Sequence, residues 1–243
     1  MKKKFILIIP ARLKSTRLPS KPLKLINGKP LIYWTWKNCS KVVPKDQIYV
    51  ATDSDEIHEV CKQNLINSID TSDKHLTGTD RISEASKKLQ TNLIINVQGD
   101  EPFIKSKDLA KFINFACKNN NIVTNACTRL INLSDHNNIN IPKVVISQKN
   151  DLLYMSRAPI PGYKKKPNLI KVYKQVCMYG FPKKILIKYF GLNKNKTPLE
   201  KIEDIEILRV IENDINVKIL EVGDNKLAID TPADLIKAKK MFK

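Results

Sequence analysis

The chain has 243 residues, 42% of them hydrophobic and 28% charged, proportions that fit a folded globular domain rather than a disordered or fibrous chain. No apolar run approaches the roughly 20 residues that span a bilayer, and the five cysteines are odd in number and lack metal-ligand spacing, so a membrane span and a zinc module are excluded. The net charge of +19 raises nucleic acid as a partner, yet neither an RNA-binding aromatic signature nor zinc-finger spacing accompanies it.

Phe5–Ile9 is a short apolar run that predicts a buried first strand. It is too short for the core of a signal peptide, so a cytoplasmic location with reduced thiols is expected. Leu31 to Cys39 predicts a helix with Pro30 at its start. Gln47–Ala51 predicts a strand, and Asp53 to Asn64 a helix capped by Thr52 or Asp53. A further helix is expected from Thr79 or Asp80 to Leu89, with Thr79 as its cap. The apolar strand Leu93–Val97 follows, then a helix over Lys105–Lys118 and a strand over Ile122–Thr128.

The middle of the chain changes character. Val144–Ser147, Leu152–Met155 and Lys171–Met178 read as strands set apart by polar turns and the Pro-rich piece Ala158 to Gly162. This predicts an antiparallel substructure, over about residues 130–190, inserted beside a parallel sheet. Helices return at Pro182–Phe190 and Pro198–Asn213. A strand over Val217–Val222 and a last helix after Asp230-Thr231-Pro232 complete the chain. Alternating strands and helices predict an α/β fold with a mainly parallel central sheet flanked by helices, as a single domain over residues 1–243.

The loop after the first strand carries the strongest signal. Arg12, Lys14, Arg17 and Lys21 stand in it without an acid, and the first acidic residue of the chain is Asp46. Ligands of open α/β sheets bind past the carboxyl ends of strands, so these cations are placed to hold a polyanion such as a nucleoside triphosphate. The loop has neither the P-loop pattern nor Gly-x-Gly-x-x-Gly. Arginine is scarce, with six residues (Arg12, Arg17, Arg81, Arg129, Arg157, Arg209) against 37 lysines. Each arginine is therefore a candidate for forked contacts to phosphate or carboxylate, although Arg209 equally suits an ion pair with Glu206 three residues earlier on one helix.

Asp100 follows the strand Leu93–Val97, where a carboxylate can hold Mg²⁺ together with water and phosphate oxygens. Asp230, after the apolar run Leu227–Ile229, is its natural partner, unless it merely caps the last helix. In His75-Leu76-Thr77-Gly78-Thr79-Asp80-Arg81, Gly78 permits close approach and Thr77 offers a hydroxyl; a capped helix start with an exposed His75 is the alternative. Arg157, Gln175 and Tyr179 end strands of the middle region and suit a carboxylate and sugar hydroxyls.

Taken together these segments resemble one family, the 3-deoxy-D-manno-octulosonate cytidylyltransferases or CMP-KDO synthetases. The resemblance runs through Ile8–Leu23, Ala51–Asp53, His75–Arg81, Asn96–Pro102, Tyr154–Ala158, Pro198–Glu200 and Ile229–Leu235, in the same order. It implies a nucleotide-diphospho-sugar transferase fold, a homodimer, and a reaction of CTP with the acidic sugar KDO that releases pyrophosphate for lipopolysaccharide synthesis. It implies that Ala11, Arg12, Arg17, Lys21, Thr77, Gly78 and Arg81 bind the nucleotide. Asp100 and Asp230 would ligate Mg²⁺ and, with Arg12 and Lys21, form the catalytic set. Arg81, Gln98, Arg157, Gln175, Tyr179 and Glu206 would contact the sugar.

The chain departs from the family pattern on the sugar side. Gln175 stands where the family commonly has His, Ile207 where it has Gln, and Leu76 where it has Gln. A site with altered polar partners prefers an altered substrate, so a modified KDO such as an 8-amino form is expected as the acceptor. The alternatives are a cytidylyltransferase for another acidic sugar, such as a nonulosonate, and a basic nucleic-acid-binding protein. No nucleic acid and no membrane are expected as partners.

Overall fold

The computed structural model describes residues 3–14, 18–165, 171–192, 194–223 and 228–241. One nine-stranded sheet organises the chain, in the order β11-β7-β10-β6-β1-β4-β5 with β8 and β9 branching from β10. The strands are β1 (Ile6–Pro10), β4 (Ile48–Thr52), β5 (Asn67–Asp70), β6 (Leu93–Val97), β7 (Val123–Arg129), β8 (Lys143–Ile146), β9 (Leu152–Ser156), β10 (Tyr173–Pro182) and β11 (Val217–Glu221). β1 pairs in parallel with β4 and β6, β4 with β5, and β7 with β11. β10 is antiparallel to β6, β7 and β8.

β1 reads Ile-Leu-Ile-Ile-Pro and is buried throughout, as a strand covered on both faces must be. Its side chains alternate: Leu7 and Ile9 join one core, Ile6 and Ile8 the other. The first core holds Trp36 of α1 (Leu31–Cys39), Ile57 of α2 (Asp55–Gln63) and Phe112 of α4 (Ser106–Lys118). The second holds Ile82 of α3 (Gly78–Lys87), Leu186 of α5 (Lys183–Tyr189) and Val210 of α7 (Leu208–Ile211). The result is a three-layer α/β/α arrangement, as the alternating pattern predicts.

Several expectations are corrected. The antiparallel strands do not all lie beside the parallel sheet. β10 is a central strand between β6 and β7, and it runs to Pro182 rather than Met178. Gly180 allows this, because a Cβ there would lie 2.8 Å from Ala116 Cβ on α4. Ser54, not Thr52 or Asp53, caps α2, accepting from the Ile57 N–H at 3.3 Å. Thr77 caps α3, so that helix starts at Gly78. The long helix expected over Pro198–Asn213 is two: α6 (Pro198–Glu203) and α7, broken where Asp204 takes a left-handed conformation at φ 49°. The break lets Ile205 and Ile207 enter the second core.

Two elements were not anticipated. β5 is one. The other is the hairpin β2 (Leu25–Ile26) and β3 (Lys29–Pro30), whose turn residues Asn27 and Gly28 both have positive φ. Asn-Gly is a sequence signal for such a turn. The last helix, α8 (Pro232–Met241), packs over this hairpin: Ala238 and Ile229 share a small core with Ile26 and Leu31. Among the described residues no helix is long and apolar enough to cross a membrane.

Candidate active site

From β1 the sheet grows outward through β4 and β5, and the chain then returns to place β6 on the other side of β1. That reversal opens a crevice past the carboxyl ends of β1 and β6, the usual ligand position in such sheets. A cleft of about 990 Å³ lies there. The described residues foreseen for the site line it: Ala11, Arg12 and Lys21 from the first loop, Thr77, Gly78 and Arg81 from the start of α3, and Gln98 and Asp100 after β6. Arg157, Gln175, Tyr179, Glu206 and Asp230 line it as well. Arg17 lies outside the described residues.

Asp100 and Asp230 meet across the cleft through backbone that is stitched together. The Ile229 N–H donates to the Asp100 carbonyl at 3.0 Å, and Thr35 Oγ1 of α1 donates to the Gly99 carbonyl at 2.9 Å. Gly99 is required for this approach, because a Cβ there would stand 2.9 Å from the Pro10 carbonyl. Asp230 does not cap α8. Thr231 accepts from the Asp234 N–H, and the Asp234 carboxylate in turn accepts from the N–H groups of Asp230 and Thr231. Asp230 is thereby left to face Lys21, whose ammonium donates to Asp100 Oδ2 at 2.6 Å and to Asp230 Oδ1 at 3.0 Å. Burial presses the Lys21 pKa down, but the charges of Asp100 and Asp230 more than reverse this, so it lies above its ordinary value.

The opposite wall is built on the N-terminus of α3. Glu206 accepts from the N–H groups of Gly78 at 3.2 Å and Thr79 at 2.8 Å. Burial raises the pKa of this carboxyl, opposed by the bonds from Thr79. Behind it, Asp80 accepts from Thr77 Oγ1 and pairs with Arg209 at 2.7 Å, and Arg209 also holds Glu200 at 2.6 Å. The pair expected between Arg209 and Glu206 is therefore not formed, because Glu206 points instead to the helix end. Arg81 is only 2% exposed. It pairs with Asp53 at 3.1 Å and bonds Thr71 Oγ1 at 2.6 Å, so it braces the wall as well as edging the cleft. His75 is buried against Glu84, not exposed.

On the middle-region side, Arg157 donates to the carbonyls of Glu203, Ile139 and Asp204, which ties β9 to the end of α6. Gln175 Nε2 donates to the Tyr179 hydroxyl at 2.9 Å. The two side chains thus share bonding capacity, and burial followed by the charges of Cys177 and Glu206 holds the phenol well above its ordinary pKa. Ile207 is buried in the second core and does not line the cleft, so this departure leaves the cleft's polar groups untouched. Leu76 does line it.

Sequence reasoning missed three contributors. Glu101, 3% exposed, lines the floor and accepts from the Cys177 N–H. Asp53 matters as the partner of Arg81 rather than as a cap. Lys196 lines the cleft, but in so lysine-rich a chain nothing singled it out.

Among the described residues no group of three or more His, Cys, Asp or Glu gathers to hold a metal ion. The two carboxylates that converge on a cation still suit a hard divalent ion that completes its shell with water and phosphate oxygens. The nearby Cys177 thiol is no competitor, since burial first, and then the charges of Glu101 and Asp100, push its pKa well up. Arg12 is exposed at the cleft and bonds none of the described residues, which leaves its guanidinium to face a ligand.

The family model for cytidylyltransferases matches residues 6–219. The 3-deoxy-manno-octulosonate cytidylyltransferase of Thermodesulfovibrio yellowstonii is 36% identical over 250 residues, covering 97% of this chain and 96% of that protein. The enzyme of the same name from Fusobacterium nucleatum is 37% identical over 234 residues, covering 96% and 94%. A solved structure of CMP:2-keto-3-deoxy-manno-octonic acid synthetase complexed with CTP superposes with a TM-score of 0.90 at 31% identity, covering 99% of this chain and 98% of that one. HddC from Yersinia pseudotuberculosis, at 17% identity and a TM-score of 0.70 with both chains covered in full, shares the fold.

Proposed function

The chain belongs to the cytidylyltransferase family and, within it, to the 3-deoxy-manno-octulosonate cytidylyltransferases, and on that premise we propose that its cleft joins CTP to KDO or a modified KDO. The products are the CMP-sugar, an activated donor for lipopolysaccharide synthesis, and pyrophosphate. The observation that carries the assignment of the site is the meeting of Asp100, Asp230 and Lys21 at the mouth of β1 and β6.

The anomeric hydroxyl of the sugar attacks the α-phosphorus in line. A new O–P bond forms, the bond to the β-phosphate oxygen breaks, and the hydroxyl proton is lost to solvent. Orientation and charge neutralisation supply most of the acceleration in such transfers. Arg12 and Lys21, with Arg17, neutralise the triphosphate and the departing pyrophosphate. Ala11, Thr77, Gly78 and Gln98 bring backbone and small polar groups against the nucleotide. Arg157 sets positive charge beside the sugar carboxylate, while Arg81, Gln175, Tyr179 and Glu206 meet its hydroxyls. Asp100 and Asp230 would hold Mg²⁺, which when bound neutralises phosphate charge and acidifies the attacking hydroxyl.

The preference for a modified acceptor rests on Gln175 bonded to Tyr179, and on Leu76 at the cleft. A homodimer is part of the same proposal. Among the described strands only β8 pairs with β9, although Asp151 just before it bridges Lys218 of β11; Leu153 and Ile139 nearby are more than half exposed, which leaves an edge for a second copy.

The test is pyrophosphate release with Mg²⁺, each of the four nucleoside triphosphates, and a panel containing KDO, 8-amino-KDO and a nonulosonate. Turnover with CTP and an eight-carbon acid is expected. A nonulosonate as the best acceptor would overturn the assignment, and a higher kcat/KM for plain KDO would reject the modified sugar.

A further inference from the structure

Lys21 occupies a position that two roles contest. Its ammonium is bonded to both carboxylates of the proposed metal site, at 2.6 and 3.0 Å. The side chains of Lys21, Asp100 and Asp230 are only 19%, 21% and 28% exposed, so water does not disperse the pairing as it does on an open surface. An ammonium so placed uses carboxylate lone pairs and cancels charge that a dication requires. Of the described acids adjoining the pair in sequence, Asp234 accepts from the backbone N–H groups of Asp230 and Thr231, and Glu101 from the Cys177 N–H. A two-carboxylate site with a lysine already in it has little affinity for a divalent ion on its own.

The same lysine is built to leave. Its backbone is held at the start of a short 3-10 turn, Lys21–Leu23, after Ser20 at φ 52° and before Pro22. The four-carbon stem above it is flexible, and its head is a point charge indifferent to the angle of its partner. Arg12 lines the same cleft. Phosphate oxygens bound there would compete with the two carboxylates for the Lys21 ammonium.

We propose that Lys21 is the resident cation of the metal site: in the nucleotide-free protein its ammonium sits between Asp100 and Asp230, and the bound triphosphate draws it away, so that nucleotide and divalent ion bind cooperatively through one side chain. The proposal rests on the reading that Asp100 and Asp230 are the metal ligands. Its consequence is reciprocal: whatever factor the nucleotide adds to metal affinity, the metal adds to nucleotide affinity, typically about 5–150-fold.

The experiment titrates the full chain with Mn²⁺ and reads free ion by electron paramagnetic resonance, with and without CTP and without sugar. In the absence of CTP, Lys21→Met is expected to bind Mn²⁺ about tenfold more tightly than the wild type, within the usual span of such couplings. Lys21→Arg, which keeps the cation, is expected to stay weak. CTP is expected to raise Mn²⁺ affinity less in Lys21→Met than in the wild type. Adding Asp100→Asn to Lys21→Met is expected to abolish the gain. If Lys21→Met fails to melt cooperatively, Lys21→Gln makes the same comparison. Equal or weaker nucleotide-free binding by the neutral variants overturns the proposal while leaving the metal ligands in place. A gain that survives Asp100→Asn, or wild-type protein that takes up no Mn²⁺ even with CTP, overturns the metal reading as well.

Discussion

Replacing Arg209 by methionine removes the cation that two buried acids share. Arg209 reaches Asp80 through Nη1 at 2.7 Å and Nη2 at 3.3 Å, and Glu200 through Nε at 2.6 Å and Nη2 at 2.8 Å. Its guanidinium also lies 4.4 Å from the centre of the Phe190 ring. Asp80 and Glu200 are fully buried, so neither carboxylate can turn to water once the arginine is gone. Breaking a buried pair from one side costs about 3–5 kcal/mol. The lower end applies here, since Asp80 keeps the Thr77 hydroxyl and the Gly191 N–H, and Glu200 keeps the Thr197 N–H. For a chain of this length each kcal/mol moves Tm by roughly 2–4 °C, so Tm is expected to fall by about 6–12 °C. Thermal melts followed by circular dichroism measure it. Arg129→Met is the control, because its pair with Glu221 is exposed on both sides and its loss leaves Tm nearly unchanged. The variant carrying Asp80→Asn, Glu200→Gln and Arg209→Met together is expected to recover part of the loss, as the cost lies in the abandoned charges. An Arg209→Met protein that melts with the control would show that this cluster does not hold the α3 wall.

Asp100→Asn is expected to lower kcat by at least about 100-fold, since several kcal/mol of charge stabilisation are at stake and each ~1.4 kcal/mol is tenfold; pyrophosphate release measures it, and near-normal turnover would count against the catalytic set. Glu206 has its folded pKa raised above 4.5 by burial, so its ionisation weakens the fold as pH rises from the ordinary carboxylate range through the raised value. The Tm of Glu206→Gln relative to wild type is therefore expected to climb between pH 4 and 7, and a flat difference would contradict the burial argument. Gly180→Ala forces a methyl against Ala116 and Thr124; urea titration is expected to show a loss of about 1–3 kcal/mol from overpacking, and an unchanged midpoint would mean that α4 can shift away from β10.

Much of this protein is written in local patterns. Continuous apolar runs such as Phe5–Ile9 and Leu93–Val97 must be strands covered on both faces, and helical periodicity places Leu31–Cys39 correctly at both ends. The cation-rich loop after β1 and the acid after β6 name the site because the ends of parallel strands are where such sheets bind ligands. Other features are decided by partners distant in sequence. Whether β10 lies at an edge or in the centre depends on Gly180 meeting Ala116. Whether Pro198–Asn213 is one helix or two depends on whether Ile205 and Ile207 find the second core. Arg209 pairs with Asp80 and not with nearby Glu206, because the α3 N-terminus claims Glu206 first. Residue type and spacing determine which groups are available, since they act through the backbone's own geometry. Burial decides which of them meet, since a charge removed from water must take whichever partner the fold delivers.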